Sequence, residues 1–214
     1  MRSISRIQLA LLRINIMRKL PKQARSRLLV DSIIDATAIV IARHGLAAAT
    51  TARIAEQAGI SIGSLYQYFD NKEDLYEALL ERIVEKLIAL VDKQTMTVEP
   101  FTLSIWVTRL LNDVWDYLAA DNGLYFQVVR NWSQLDFVSG MDALEQKMLS
   151  VLSVYLLQQP TRISNNTGDL PARLYILTNS ILFTLLRYIS KPSPLVSRQS
   201  LIAEFASMVE RSLL

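Results

Sequence analysis

The sequence contains no cysteine and a single histidine, His44, among its 214 residues. Without thiols the chain cannot form disulfides, thiolate metal sites or cysteine nucleophiles, and one imidazole cannot build a histidine metal cluster. The absence of cysteine also fits a reducing compartment, so we expect a cytoplasmic protein. We expect neither a metal nor a cofactor.

Glycine and proline are scarce, with six of each, which leaves few residues that would interrupt a helix. Apolar side chains recur at helical spacing along most of the chain, and no segment alternates as a strand does. The longest uncharged apolar run, Leu174–Leu186, is too short to span a bilayer. These features predict an all-α protein of about nine helices, with no membrane partner.

The sequence motifs of common enzyme classes are also missing. There is no GK[ST] phosphate loop, no G-x-S-x-G nucleophile elbow and no cluster of metal ligands. Acidic residues are plentiful, but they are spread over helix positions that face solvent. We therefore expect no catalytic residues, and a helical enzyme is the least favoured of the alternatives.

Positive charge is concentrated at the N-terminal end of the chain. Residues 1–72 contain eleven Lys or Arg against four Asp or Glu, a net charge of +7, whereas residues 73–214 contain twelve against sixteen, a net charge of −4. A basic end on an otherwise acidic protein indicates a polyanionic partner such as DNA. Composition alone is equally compatible with a solvated tail.

Between Thr50 and Phe69 the sequence predicts two short helices joined by a tight turn, which is the helix-turn-helix pattern. Thr50 and Thr51 supply N-cap chemistry for the first helix, and Gly59 supplies the backbone conformation of the turn. A longer helix follows the pair, with capping residues at Asp70 and Asn71.

The second of these short helices has a face suited to the major groove of DNA. Leu65 and Phe69, four residues apart, define its buried side and leave a strip of small and polar residues facing solvent. A glycine allows close approach of the backbone, polar side chains can hydrogen-bond to base edges, and flanking tyrosines can reach phosphates. The same spacing is also compatible with an ordinary packing helix. The strip consists of Gly63, Ser64 and Gln67, flanked by Tyr66 and Tyr68.

The segment from Pro21 to about Leu80 resembles the DNA-binding domain of the TetR family. The likeness rests on the RSR at Arg25–Arg27, Gly45-Leu46, Ala49-Thr50-Thr51, Ile54-Ala55, the runs Ala58–Ser61 and Gly63–Phe69, and Asn71-Lys72-Glu73. It implies an N-terminal extension at 1–20, a three-helix helix-turn-helix domain at 21–72, and a helical ligand-binding and dimerisation domain at 73–214.

The resemblance also implies a function. A protein of this kind is a homodimer that binds double-stranded operator DNA as a repressor and leaves a palindromic operator when a small-molecule effector binds. Ile62 and Ala52 occupy positions where many family members carry a polar or basic residue, so contacts there are doubtful. The implied DNA contacts are Thr50, Thr51, Ser61, Gly63, Ser64, Tyr66, Gln67, Tyr68 and Lys72, with Arg25 and Arg27 reaching phosphates or a minor groove from the N-terminal arm.

Two further sites are predicted in the C-terminal part of the chain. Clustered aromatic residues predict a pocket for a small apolar or aromatic effector, with ordinary core as the alternative for each of them. Apolar stripes on the last two helices predict either a dimer interface or intramolecular core. A DNA-binding or interaction protein without an effector is the second interpretation of the whole chain. The pocket residues are Trp106, Arg109, Trp115, Tyr125, Phe126, Arg130 and Tyr155; the interface residues are Leu177, Ile181, Leu185, Phe205 and Met208.

Overall fold

A computed structural model describes residues 24–95, 102–131, 135, 137–157 and 169–213. The N-terminal extension predicted at 1–20 lies outside these residues. Within them the chain forms eight α-helices and one 3₁₀ turn, and no strand. The all-α prediction is confirmed. The helices are α1 (Ala24–His44), α2 (Thr51–Gln57), α3 (Ile62–Leu65), α4 (Lys72–Thr95), α5 (Leu103–Val129), α6 (Phe137–Leu157), α7 (Leu170–Ser190) and α8 (Arg198–Leu213).

Helix α5 is broken at residues 120–123, where the sequence predicts a turn between two helices. Asp121, Asn122 and Gly123 have φ values of 52°, 59° and 74°, in the left-handed region of the backbone map. Gly adopts this region without strain, and Asn and Asp tolerate it better than other residues. The break therefore lies at the predicted Asn122-Gly123 turn, and counting α5 as one helix accounts for the total of eight.

The described residues divide into two compact units. Unit 1 comprises residues up to 83 together with 119–140, and unit 2 comprises 84–118 and 141 onward. In unit 1, α1 packs on α2 and α2 packs on α3. The predicted domain boundary at 72/73 falls earlier than this division, because the apolar side chains of the first three turns of α4 are buried within unit 1. The residues that anchor its core are Ile33, Ile41, Ile54, Leu65, Phe69, Leu75, Leu79 and Ile83, each at most 1% exposed.

Unit 2 has a core of its own, built from aliphatic residues of α4 to α8 with Trp106 and Phe205. Ion pairs lie at its surface, between Lys93 and Asp113 at 3.5 Å and between Lys147 and Asp92. Exposed pairs of this kind contribute little to stability, so the apolar core carries the unit. Among the described helices, none is both long and apolar enough to cross a membrane.

Candidate nucleic-acid interface

Side-chain hydroxyls begin both short helices of the helix-turn-helix. The Thr50 hydroxyl accepts a hydrogen bond from the Arg53 N–H at 3.3 Å, and the Ser61 hydroxyl accepts one from the Ser64 N–H at 3.0 Å. These bonds satisfy N–H groups that have no partner within the helix. In the turn between the helices, Gly59 has a φ of 68°, which explains the glycine there. The predicted cap at Thr50 and the predicted turn at Gly59 are therefore present, and Ser61 adds a cap that the sequence analysis did not predict.

Hydrogen bonds fix the two short helices relative to each other. The Thr51 hydroxyl on α2 lies 3.2 Å from the Tyr66 hydroxyl, which follows α3. The Ile60 N–H donates to the Ala55 carbonyl at 3.0 Å across the turn. Leu65 is fully buried beneath α3. The orientation of α3 thus follows from local hydrogen bonds together with one apolar anchor.

The strip formed by Gly63, Ser64 and Gln67, called the recognition strip below, lies at the surface. Gly63 and Gln67 are exposed and Ser64 is half-buried, with its hydroxyl 2.8 Å from that of Ser61. A Cβ atom placed on Gly63 would meet the Ser61 hydroxyl at 3.9 Å, an ordinary contact distance. The fold therefore does not require a glycine at this position.

The residues that flank the recognition strip differ in exposure. Tyr66 is 39% exposed, as expected for a phosphate contact, whereas Tyr68 is only 6% exposed. Ile62, where the sequence put a contact in doubt, is 45% exposed and is the one large apolar side chain exposed on α3. The sequence thus predicts the position of Tyr66 better than that of Tyr68, which packs into unit 1.

The remaining predicted DNA contacts are also at the surface. Lys72 begins α4, with its ammonium group 3.8 Å from the Glu73 carboxylate and both side chains exposed. Arg25 and Arg27 are exposed in the first turn of α1. Most of the basic residues of the N-terminal end precede residue 24, so they lie outside the described part of the chain.

Two residues near the interface are missed by the sequence analysis. Arg53 is exposed on α2, and its guanidinium donates to the Ala48 carbonyl at 3.0 Å. The Tyr76 hydroxyl, on α4, donates to the Ala49 carbonyl at 2.8 Å and lies 3.3 Å from the Leu46 carbonyl. Periodicity cannot reveal Tyr76, because its partners are backbone atoms of a distant segment.

Tyr76 positions the segment that leads into α2. Burial raises the pKa of its phenol above the usual 10.0, and the nearby charge of Glu73 raises it further. When the pKa of a phenol is higher in the folded state than in the unfolded state, its contribution to stability is fully present below the unfolded pKa. This contribution is lost as the pH rises from the unfolded pKa through the folded pKa. The hydroxyl therefore donates to Ala49 throughout the neutral pH range.

The structure does not gather the predicted pocket residues into one site. Trp106 lines an apolar cavity of about 70 Å³ in unit 2, and Tyr155 packs half-buried against the same core. Trp115 instead contacts the Tyr188 ring, with centroids 5.9 Å apart, and carries the Arg198 guanidinium 5.1 Å above its own ring. The others lie elsewhere: Arg109 is exposed, and Tyr125, Phe126 and Arg130 belong to unit 1.

The predicted interface residues lie on the inner side of α7 and α8. Leu177, Ile181 and Phe205 are buried in the core of their own unit, so they are not available to a partner. Leu185 and Met208 are half-buried against the same core. The burial of Leu177, Ile181 and Phe205 favours the alternative interpretation, intramolecular core, and the interface as a whole stays a prediction. The exposed apolar residues of α7 are Tyr175, Ile176 and Phe183, called the α7 outer face below, at 57%, 59% and 42% exposure.

Within the described ranges, no group of three or more His, Asp or Glu side chains is placed to hold a metal ion. The surface features of unit 1 are those of a helix-turn-helix with an exposed second helix. In structural terms the described part of the chain is thus all-helical, with a helix-turn-helix formed by α2 and α3.

Comparison with known proteins relates the helix-turn-helix segment to a family of regulators. Residues 33–79 match the family model for bacterial regulatory proteins of the tetR family. The fatty acid metabolism regulator protein of Bacillus subtilis (strain 168) is 30% identical over 135 residues, which cover 63% of this chain and 65% of the relative. The nucleoid occlusion factor SlmA of Haemophilus ducreyi (strain 35000HP / ATCC 700724) is 32% identical over 77 residues, covering 35% of this chain and 37% of the relative. The chain therefore spans less than two thirds of the length of either protein.

Solved structures show the same fold over most of the chain. The fatty acid degradation regulator FadR from Bacillus halodurans superimposes with a TM-score of 0.62 at 21% identity, covering 86% of this chain and 96% of that one. SmeT, the repressor of the Stenotrophomonas maltophilia multidrug efflux pump SmeDEF, gives a TM-score of 0.62 at 16% identity, covering 85% and 86%. Residues 33–79 thus resemble the DNA-binding segment of tetR-type regulators, and most of the chain shares the fold of these two solved structures.

Proposed function

We propose that the chain is a DNA-binding transcriptional regulator that acts in the cytoplasm as a homodimer on a palindromic operator. The observation that carries this proposal is the recognition strip, which stands at the surface of the second helix of a helix-turn-helix. A helix of this kind enters the major groove and contacts base edges with its side chains.

Each exposed part of the interface has a distinct role in this proposal. Gly63 lets the α3 backbone approach the groove, and Gln67 reads base edges through its amide, which can both donate and accept hydrogen bonds. Thr50, Tyr66 and Lys72 contact phosphates, which position the protein without reading sequence. Arg53 is an additional phosphate contact on α2.

The α7 outer face supports the dimer. Tyr175, Ile176 and Phe183 lie on the outward-facing side of α7, with Asn179 and Ser180 between them along the helix, while the opposite side of α7 fills the core of unit 2. A second copy of the chain that covers the α7 outer face would remove these apolar side chains from water. A two-fold dimer presents two recognition helices to DNA, so the operator should be a palindrome with half-sites about one helical turn apart.

Selection of bound DNA from a random pool tests the proposal directly. Enrichment of a symmetric site is the expected result, and failure to enrich any sequence would contradict DNA recognition.

On the selected site, Gln67→Ala should change which bases are preferred, whereas Lys72→Ala should weaken binding to all sequences and lower its salt dependence. Tyr68→Phe should have a smaller effect than Lys72→Ala, because Tyr68 is buried. Equal loss of specificity in Gln67→Ala and Lys72→Ala would contradict these roles.

Ile62 is expected to recognise a thymine methyl group. An exposed aliphatic side chain at the start of a recognition helix can make an apolar contact with only that group on a base edge. Replacing the contacted thymine with uracil, which lacks the methyl, should weaken wild-type binding about fourfold, the value of one buried carbon. The Ile62→Ala variant should bind the two operators equally. A uracil scan that lowers affinity equally in both proteins would contradict the contact.

We further propose that the protein represses transcription and leaves its operator when a small molecule binds unit 2. The apolar cavity supports an effector site, although its volume of about 70 Å³ is well below that of typical ligand pockets. This small volume favours the second candidate, a DNA-binding protein without an effector. An effector acts only through its different affinities for the bound and free states of the regulator. Operator affinity measured with and without a bound small molecule separates the two candidates. A change in affinity would favour the effector-controlled repressor, and an unchanged affinity would favour the DNA-binding protein without an effector.

A further inference from the structure

One member of the recognition strip, Ser64, has its hydroxyl paired with that of Ser61. The two side-chain oxygens lie 2.8 Å apart, and the Ser61 hydroxyl also accepts the Ser64 N–H at 3.0 Å. Among the residues that the structure describes, the Ser64 hydroxyl has no other hydrogen-bond partner. Ser61 is exposed and Ser64 is half-buried. Ser64 therefore reaches the surface with one of its hydrogen-bonding positions already occupied.

The two hydroxyls hold two protons, and only one of these protons can lie between the oxygens. A serine hydroxyl donates one hydrogen bond and can accept two. If Ser61 donates to Ser64, the proton of Ser64 is left to donate outward. If Ser64 donates to Ser61 instead, the Ser64 oxygen can only accept from an outside partner. The direction of this one bond therefore determines what Ser64 presents to a base edge.

The backbone of Ser64 favours the first direction. Its N–H donates to the Ser61 oxygen, and hydrogen bonds that follow one another in a chain strengthen each other. Such a chain runs from the Ser64 N–H through the Ser61 hydroxyl to the Ser64 hydroxyl. The opposite direction loses this reinforcement, because the Ser61 oxygen would accept both bonds and donate neither. The proton of Ser64 is therefore the one that points away from the pair.

We propose that Ser64 acts as a hydrogen-bond donor in the major groove, and that Ser61 sets this role as a positioning residue. In the major groove guanine and thymine present only acceptors, cytosine presents only a donor, and adenine presents one of each. On the strand that Ser64 contacts, guanine or thymine is therefore favoured and cytosine is rejected. This inference deepens the proposed function and rests on it.

A similar pair of hydroxyls lies at the start of α8. The Ser197 hydroxyl accepts the Ser200 N–H at 3.0 Å, and the two side-chain oxygens lie 2.8 Å apart. Both pairs have the spacing S-x-x-S, so their geometry follows from the local sequence where a helix begins. The pair in α8 belongs to unit 2 and is no part of the helix-turn-helix. It offers the same local chemistry without a recognition strip, and so a matched control.

Replacing Ser61 with aspartate should reverse the role of Ser64. Aspartate caps a helix as well as serine does, so the Ser64 N–H keeps its acceptor. The carboxylate carries no proton, so the Ser64 hydroxyl must donate to it and can then only accept from a base. We expect cytosine to become favoured, guanine and thymine to become disfavoured, and adenine to change little. The added charge weakens binding to every sequence, so the quantity that tests the proposal is the ratio of affinities among bases.

The experiment uses the full chain and the site that selection from a random DNA pool enriches. Each of the four bases is placed in turn at each position of one half-site, with its complement opposite, and affinity is measured by titration. At one position the unmodified chain should bind guanine or thymine about fivefold more tightly than cytosine, the value of one hydrogen bond. In Ser61→Asp this ratio should invert. Ser64→Ala should remove the preference both in the unmodified chain and in Ser61→Asp.

Two control variants separate this role from capping and from charge. Ser61→Thr keeps a hydroxyl that can cap the helix and donate, so it should keep the base preference of the unmodified chain. Ser197→Asp makes the aspartate substitution at the pair in α8, and it should leave the base preference unchanged. A change of preference in Ser197→Asp equal to that in Ser61→Asp would overturn the proposal.

Three further results would overturn it: an unchanged preference in Ser61→Asp, an equally complete reversal when Ser64 is alanine, or a preference for cytosine in the unmodified chain at the position that Ser64→Ala affects. The proposed function has a separate test. If selection enriches no sequence, DNA recognition fails and the role of Ser64 fails with it. If a site is enriched but Ser61→Asp does not invert any preference, only the role of the serine pair is wrong.

Discussion

Replacing Phe183 with glutamate is expected to convert the protein to a monomer and to lower its operator affinity by about a hundredfold or more. Phe183 lies on the α7 outer face and is 42% exposed in the single chain. Glutamate there would place a charge in the proposed apolar interface, where it has no partner. Loss of the dimer also removes the gain from binding two half-sites at once, which is on the order of a hundredfold to ten-thousandfold. Sedimentation and operator titration measure the two effects.

Val154→Glu is the matched control for this variant. Val154 is 55% exposed on α6, so the change introduces the same charge at another exposed apolar position of unit 2. We expect it to remain dimeric and to bind the operator as the unmodified chain does. A dimeric Phe183→Glu protein with normal affinity would show that the α7 outer face is not the interface.

Replacing Gly63 with leucine is expected to abolish specific operator binding without unfolding the protein. A Cβ atom at this position would meet the Ser61 hydroxyl at 3.9 Å, an ordinary contact distance, and Gly63 is exposed. Glycine is the less stable residue in a helix, so thermal stability should be unchanged or slightly higher. The leucine would keep α3 from approaching the groove and break base contacts in both subunits. The expected loss is on the order of a hundredfold, because each bidentate contact discriminates by about 1–3 kcal/mol.

Gly63→Ala should show a smaller loss of operator affinity, so the loss should increase with the size of the side chain. Ser32→Leu, which places the same leucine at an exposed position of α1, serves as the control and should bind normally. Normal operator affinity in Gly63→Leu would mean that α3 does not enter the groove, and the proposed mode of DNA binding would then be wrong.

The helix-turn-helix could be predicted closely from the sequence because its signals are local. Thr50 and Ser61 cap helices through bonds that span three residues, and Gly59 is required by its own backbone angle. Leu65 and Phe69 fix the buried side by their spacing alone. Tyr68 shows the limit of such reasoning, since a residue on the flank of a short helix can turn inward or outward.

The C-terminal sites could not be predicted in the same way. Helix α7 is apolar on both sides, so the spacing of Leu177 and Ile181 and that of Ile176 and Phe183 predict equally good inner faces. The aromatic character of a residue also does not predict where it lies in the fold. Trp115 packs against Tyr188 and Arg198 and does not line the cavity. Which face is buried depends on contacts between distant helices, and these leave no local signature in a single sequence.

The hydrogen bond from Tyr76 to the Ala49 carbonyl has a practical consequence for measuring DNA affinity. It joins an uncharged phenol to a peptide oxygen, so added electrolyte hardly weakens it, in contrast to a link between opposite charges. The lead-in to α2 should therefore keep its geometry as ionic strength rises. A decline in affinity on adding salt can then be attributed to the ions displaced from phosphates and used to count those contacts.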